Sequence, residues 1–205
     1  MAYDPPVLSY DDVRQHAEEF LNEFHKERSI PTPIEEIVEF DFGMEVIPIP
    51  GLRDELGVDA FLSSDLTSIT VDEDAMMHVK VRYRFSLAHE LGHQWIHDDL
   101  YQSVDIKSVR DWRNVLEEIG DQYFFFEFQA NSFAGLVLVP PEALKARFTR
   151  RLEEAISKGL KHGDVLRYPL RQRLVEGLAG EFEVSEQTMT IRLEKDGLLP
   201  PLVDT

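Results

Sequence analysis

Apolar residues at Val13, Ala17, Phe20, Leu21 and Phe24 recur at three- and four-residue steps behind the polar start Ser9-Tyr10-Asp11-Asp12, the pattern of a capped amphipathic helix. Pro33 stands where a second helix can begin, in IPTPIEEIVEF, and GMEVIPIP then reads as a short strand stopped by Pro48 and Pro50. Two β-rich runs, VDAFLS and SITVDE, flank Ser64 to Thr67 and predict a hairpin, so a small three-stranded sheet follows. From about Arg82 the period becomes helical, through RYRFSLAHELGHQWIHDD and again in EFQANSFAGL. Pro141 opens a helix through EALKARFTRRLEEAI, LRQRLVEGLAGEF supplies another, and Ser185 caps EQTMTIRLEKDG before Gly197. The last two resemble a helix-turn-helix. The expected class is α+β and mostly helical, with residues 1–139 forming a core and residues 140–205 a helical region packed on it.

The stretch YFFFEFQANSF sets the carboxylate of Glu127 among aromatic rings, where any regular element tends to bury it. An ionised carboxylate taken out of water needs a cation or hydrogen bonds as compensation. His89, Glu90 and His93 form H-E-x-x-H in the preceding helical segment. A four-residue step turns a helix by about 400°, so the two imidazoles share one face about 6 Å apart along the axis, within reach of one ion. Glu90 lies beside them, a position that suits a base acting on water at the ion better than a third ligand.

Two imidazoles leave such an ion short of a ligand. Glu127, Asn131 and Ala134 fall on one helical stripe, with Ala130 alongside, and these small residues allow close approach of the two helices. Glu127 can then be the third ligand of a divalent cation, its aromatic neighbours a dry wall, and Asn131 a partner for the far nitrogen of a ligand ring. The competing reading turns Glu127 outward or pairs it with Arg110 or Arg113. Gly92 costs a helix about 1 kcal/mol against alanine, which makes sense if backbone or substrate passes close by. His97, one turn beyond His93, is expected to pack or to support a ligand rather than bind metal directly. His16, His25, His78 and His162 have no comparable company.

Length and composition bound the remaining possibilities. The 205 residues, 43% hydrophobic and 29% charged, suffice for one good core. No cysteine is present, which removes disulfides, thiolate ligands and thiol nucleophiles. No apolar run approaches the length of a membrane span, and the start MAYDPPVLSYDD has no leader-like character, so a cytoplasmic protein is expected. The net charge of −18 sits in residues 1–139, which carry 28 acidic and 10 basic side chains, whereas residues 140–197 are near neutral with 10 and 11. That acidity is either a solvated surface or a field that draws in a basic protein substrate. A helix-turn-helix without basic excess argues against direct nucleic-acid binding.

RFSLAHELGHQWIH followed by EFQANSFAGLVLVP resembles the ImmA/IrrE family of metallo-endopeptidases, whose pattern pairs a helical H-E-x-x-H with a downstream E-x-x-A-[ND]-x-F-A and an apolar run ending in proline. Weaker similarity extends over most of the chain. The resemblance implies a zincin-like core, Zn2+ as cofactor with another divalent ion as the alternative, and cleavage of a regulatory protein such as a basic transcriptional repressor. It implies metal ligation by His89, His93 and Glu127, and catalysis by Glu90. Two departures stand out: roughly 25 extra residues from about Asp99 to Phe125 between the motifs, and Gly135 where alanine is usual. For an oxyanion donor, His97, Tyr123 and Arg84 are candidates by proximity in sequence alone. Other readings of the residues are a helix-turn-helix regulator with a structural metal site, or a toxin-antitoxin type binding protein.

Overall fold

A computed structural model of the chain describes residues 7–103 and 123–200. Helix α1 (Tyr10–Phe24) starts at Ser9, whose hydroxyl accepts the Asp12 amide while the Asp12 carboxylate accepts the Ser9 amide, a reciprocal cap. It buries Val13, Ala17, Phe20 and Leu21, the stripe its periodicity marked. Phe20 anchors an aromatic cluster with Phe24, Phe42, Trp95 and Phe133, ring centroids 5.1–6.0 Å away. After Pro33 the short helix α2 (Ile34–Glu36) widens into a π turn over Ile37–Asp41.

The sheet is small and mixed. Strands β1 (Glu45–Ile49), β2 (Ala60–Leu62) and β3 (Ser68–Asp72) run in the order β1-β3-β2, with β1 parallel and β2 antiparallel to β3. Pro48 lies within β1 instead of ending it, paired with Val71. An edge strand tolerates a residue without an N–H, which is why the proline does not stop it there. Helix α3 (Leu52–Leu56) connects β1 to β2 and α4 (Glu73–His78) follows β3. Neither was expected. Asp72 makes the second possible: one carboxylate oxygen caps α4 through the Ala75 amide and the other accepts the Arg53 amide.

Helix α5 (Lys80–Ser103) carries H-E-x-x-H, and its backbone leaves helical geometry at His97 (φ −120°, ψ 25°). Helix α6 (Tyr123–Leu138) packs against it, burying Phe126, Gln129, Ala130, Phe133 and Ala134. Helices α7 (Pro141–Ser157), α8 (His162–Val165), α9 (Leu170–Phe182) and α10 (Glu186–Lys195) complete the fold. Ser185 caps α10 through the Thr188 amide as its sequence predicted. Leu178, Phe182, Met189 and Leu193 from these last helices join one apolar cluster with Phe20, Leu87 and Phe133. Among the described residues, no helix is long and apolar enough to cross a membrane. The α+β class, mostly helical with a small three-stranded sheet, agrees with the sequence.

Candidate metal centre

The close approach of α5 and α6 is set by Gly92. A Cβ there would stand 3.0 Å from the Phe133 ring and 3.3 Å from the Ala130 backbone, so any larger residue would push the two helices apart by a few tenths of an ångström. The crossing brings the inward side chains together. His89 Nε2 lies 2.9 Å from His93 Nε2, and the Glu127 carboxylate reaches both rings at 3.4 and 3.5 Å. His93 is 1% exposed, while His89 and Glu127 retain 15% and 25%, so the cluster opens to solvent on their side. Arg110 and Arg113, the alternative partners for Glu127, lie outside the described residues.

The far ring nitrogens are also engaged. Asn131 Oδ1, one turn beyond Glu127, accepts from His89 Nδ1 at 3.2 Å and leaves the His89 Nε2 lone pair facing the cluster. A longer relay serves His93. Gln129 Oε1 accepts from His97 Nε2 at 3.0 Å, which leaves His97 Nδ1 to accept from His93 Nδ1 at 3.2 Å. The His93 Nε2 lone pair is thereby turned toward Glu127. Burial keeps the rings neutral, as the relay requires, pushing His93 and His97 down to about 3. His89 is lowered to about 4, by burial first and the nearby His93 second. Phe126 covers the pair, its ring 4.1 Å from both His93 and His97.

Glu90 sits beside the cluster, 5% exposed, with no ion pair among the described residues. Burial, reinforced by the charge of Glu127, raises its carboxyl to about 8 against the opposing effect of a hydrogen bond from the Leu62 amide of β2. Tyr123 donates to Glu127 and is raised to about 12, by burial first and that carboxylate second. Two other candidates for an oxyanion donor are committed elsewhere. Arg84 is bound to Glu35 and the Thr32 carbonyl, each at 2.5 Å, and His97 is held in the relay.

A family profile described as the IrrE N-terminal-like domain, peptidase M78, matches residues 77–194, more than half of the chain. The chain belongs to that family. Among solved structures, a Mycobacterium tuberculosis transcriptional regulator aligns with a TM-score of 0.54 and 19% identity, covering 90% of this chain and 46% of that one. This IrrE-like chain therefore spans about half the length of that regulator, and the likeness is one of fold. No curated protein matches the sequence.

The donor set of the IrrE-like chain suits a small divalent ion. Tetrahedral zinc with bonds of 2.0–2.2 Å separates its ligand atoms by about 3.4 Å, and the three distances here, 2.9, 3.4 and 3.5 Å, bracket that edge. The sequence reading anticipated Asn131 behind His89 but missed Gln129 and the Leu62 amide. A glutamine in the stripe Phe126, Gln129, Ala130, Phe133 was the available signal, because a buried amide needs a partner. The inserted segment from about Asp99 to Phe125 falls largely outside the described residues. His25 is buried and bonded to the Ser29 carbonyl, whereas His16, His78 and His162 lie at the surface.

Proposed function

We propose that this chain is a zinc-dependent endopeptidase acting on a regulatory protein, with a basic transcriptional repressor as the expected substrate. One observation carries the reading: two ring nitrogens and a carboxylate converge beside a buried carboxyl that has no ion-pair partner among the described residues. In this reading His89, His93 and Glu127 hold the ion and Glu90 is the acid-base group. A divalent ion held there supplies Lewis acidity, which polarises a carbonyl and makes water ionisable near neutral pH. Glu90 takes the proton from the attacking water and delivers it to the leaving amine as the amide bond breaks. Burial first and the charge of Glu127 second raise the Glu90 carboxyl, and a cation held by its neighbours would lower it again toward the ionised form that accepts a proton. Asn131 and the His97–Gln129 relay hold the rings in the ligating tautomer, and Tyr123 steadies Glu127 by a hydrogen bond.

A structural metal site in a DNA-binding regulator fits less well. It has no use for a buried carboxyl at Glu90, and in α10 the residues Gln187, Thr188, Ile191 and Lys195 line a cleft against α5 and α6. The test is a Glu90→Gln chain loaded with zinc and incubated with a proteome extract, new N-termini being read by mass spectrometry. Cleavage should fall by roughly 10²- to 10⁴-fold with zinc content unchanged. Equal cleavage by both chains would remove the peptidase assignment.

A further inference from the structure

Beside the metal centre a cleft of about 680 Å3 opens between the first turns of α5, the outer face of α6 and α10. Its volume is that of a ligand site. It adjoins the centre through Asn131, the partner of His89, which forms part of its wall. Its charge is opposite to that of the molecule. In a chain with 39 acidic and 21 basic residues, the described residues lining the cleft include Arg53, Arg82, Arg192 and Lys195 and no carboxylate.

Two of these cations are already neutralised. Arg192 is bound to Asp196 at 2.8 Å and Arg53 to Asp59 at 2.7 Å. Arg82 and Lys195 form no ion pair among the described residues; Lys195 rests over the Tyr10 ring at 5.0 Å, and Asp72 acts on Arg82 only at a distance. Phe85, Phe128 and Ile191 supply apolar walls between the charges.

We propose that this cleft is the subsite for an acidic segment of the peptide substrate, with Arg82 and Lys195 as the specificity-determining residues. The proposal rests on the peptidase reading above. Arg82 precedes His89 by seven residues, about 10 Å along the helix, and an extended peptide advances about 3.3 Å per residue. The selected carboxylates therefore lie about three residues from the bond at the metal centre. The acidity of residues 1–139 repels such a segment and favours a substrate that is basic elsewhere, so the cleft selects a short acidic stretch within an otherwise basic protein.

Two measurements test this. Zinc-loaded Glu90→Gln chain is titrated with fluorescein-labelled dodecapeptides of alanine, leucine and serine bearing two glutamates or, in the same places, two lysines. The acidic peptide should bind at least tenfold tighter, and Arg82→Glu with Lys195→Glu should abolish or invert that preference. Lys26→Glu, beyond the far end of α1, should leave it intact. In parallel, the active chain is given peptides from a proteome digest and the cleaved bonds are profiled. Acidic enrichment about three residues to one side, lost in the double variant, supports the subsite. Cleavage with no acidic preference, or equal binding of both peptides, overturns it while leaving the peptidase reading in place. Acidic-peptide binding through Arg82 with no cleavage by the active chain keeps the cleft as an acidic-segment site and removes the peptidase reading. Neither binding preference nor cleavage removes both.

Discussion

At the residue scale, the centre combines one buried acid with a buried base, His93, and a partly buried one, His89, whose ionisation is opposed by the same low-polarity surroundings. Without metal, Glu90 is raised from 4.5 to about 8, and His89 and His93 are lowered from 6.5 to about 4 and about 3. The signs differ. The folded chain keeps the Glu90 proton that the unfolded chain has released, so stability is lost as pH rises from 4.5 through 8. The folded rings refuse protons that the unfolded rings accept, so stability is also lost as pH falls below 6.5. Chelator-treated protein should therefore be most stable near pH 6.5 and weaken toward pH 8, by up to about 1.4 kcal/mol per pH unit from Glu90 alone. Thermal melts at pH 6.5 and 8 check this. Glu90→Gln should flatten the alkaline fall, and an unchanged fall would show that Glu90 is not the group responsible.

At the element scale, the pairing of α5 with α6 governs both packing and ligand orientation. The His97–Gln129 hydrogen bond at 3.0 Å ties the bend in α5 to the buried face of α6 and sets the His93 tautomer. Gln129→Leu keeps the volume and removes the acceptor, so zinc affinity should fall by about 10- to 100-fold while the fold persists. Competition with a zinc-binding dye, alongside circular dichroism, reads the two effects separately; unchanged affinity would show that the relay does not orient His93. Much of this pairing was legible in the sequence. The apolar periods of α1, α5 and α6, the Ser9 and Ser185 caps, and the small residues Gly92, Ala130 and Ala134 each state a local requirement that the fold meets in place. The elements that escaped are α3, α4 and α8, too short for periodicity to register, and the π turn after α2, which depends on what packs around it. Likewise, a glutamine in a buried stripe announces that it has a partner without saying which one. The Leu62 amide reaches Glu90 only through the sheet, a contact between residues 28 apart in the chain that no local pattern encodes.

At the scale of the whole molecule, the question is whether the last four helices are a separable attachment or part of one cooperative unit. The buried guanidinium of Arg192, 2% exposed, bears on it directly. From α10 it donates to the Val139 carbonyl at the end of α6, to the Tyr10 hydroxyl of α1 and to Asp196, which itself holds Arg14 of α1 at 2.6 Å. Removing it strands a buried carbonyl and loosens a carboxylate at once, and breaking a buried charge pair typically costs about 3–5 kcal/mol. Because these contacts join residues 1–139 to residues 140–205, the cost should fall on the entire protein. In a Trp112→Phe background, Arg192→Ala should lower the urea midpoint in a single transition seen alike by tryptophan fluorescence, which then reports Trp95 packed against the core, and by far-ultraviolet circular dichroism. If circular dichroism instead showed an early partial loss while the fluorescence midpoint stayed put, the C-terminal helices would be an independently melting region. The cleft formed by α10 against α5 and α6 would then open and close by docking of that region instead of being a fixed feature of the fold.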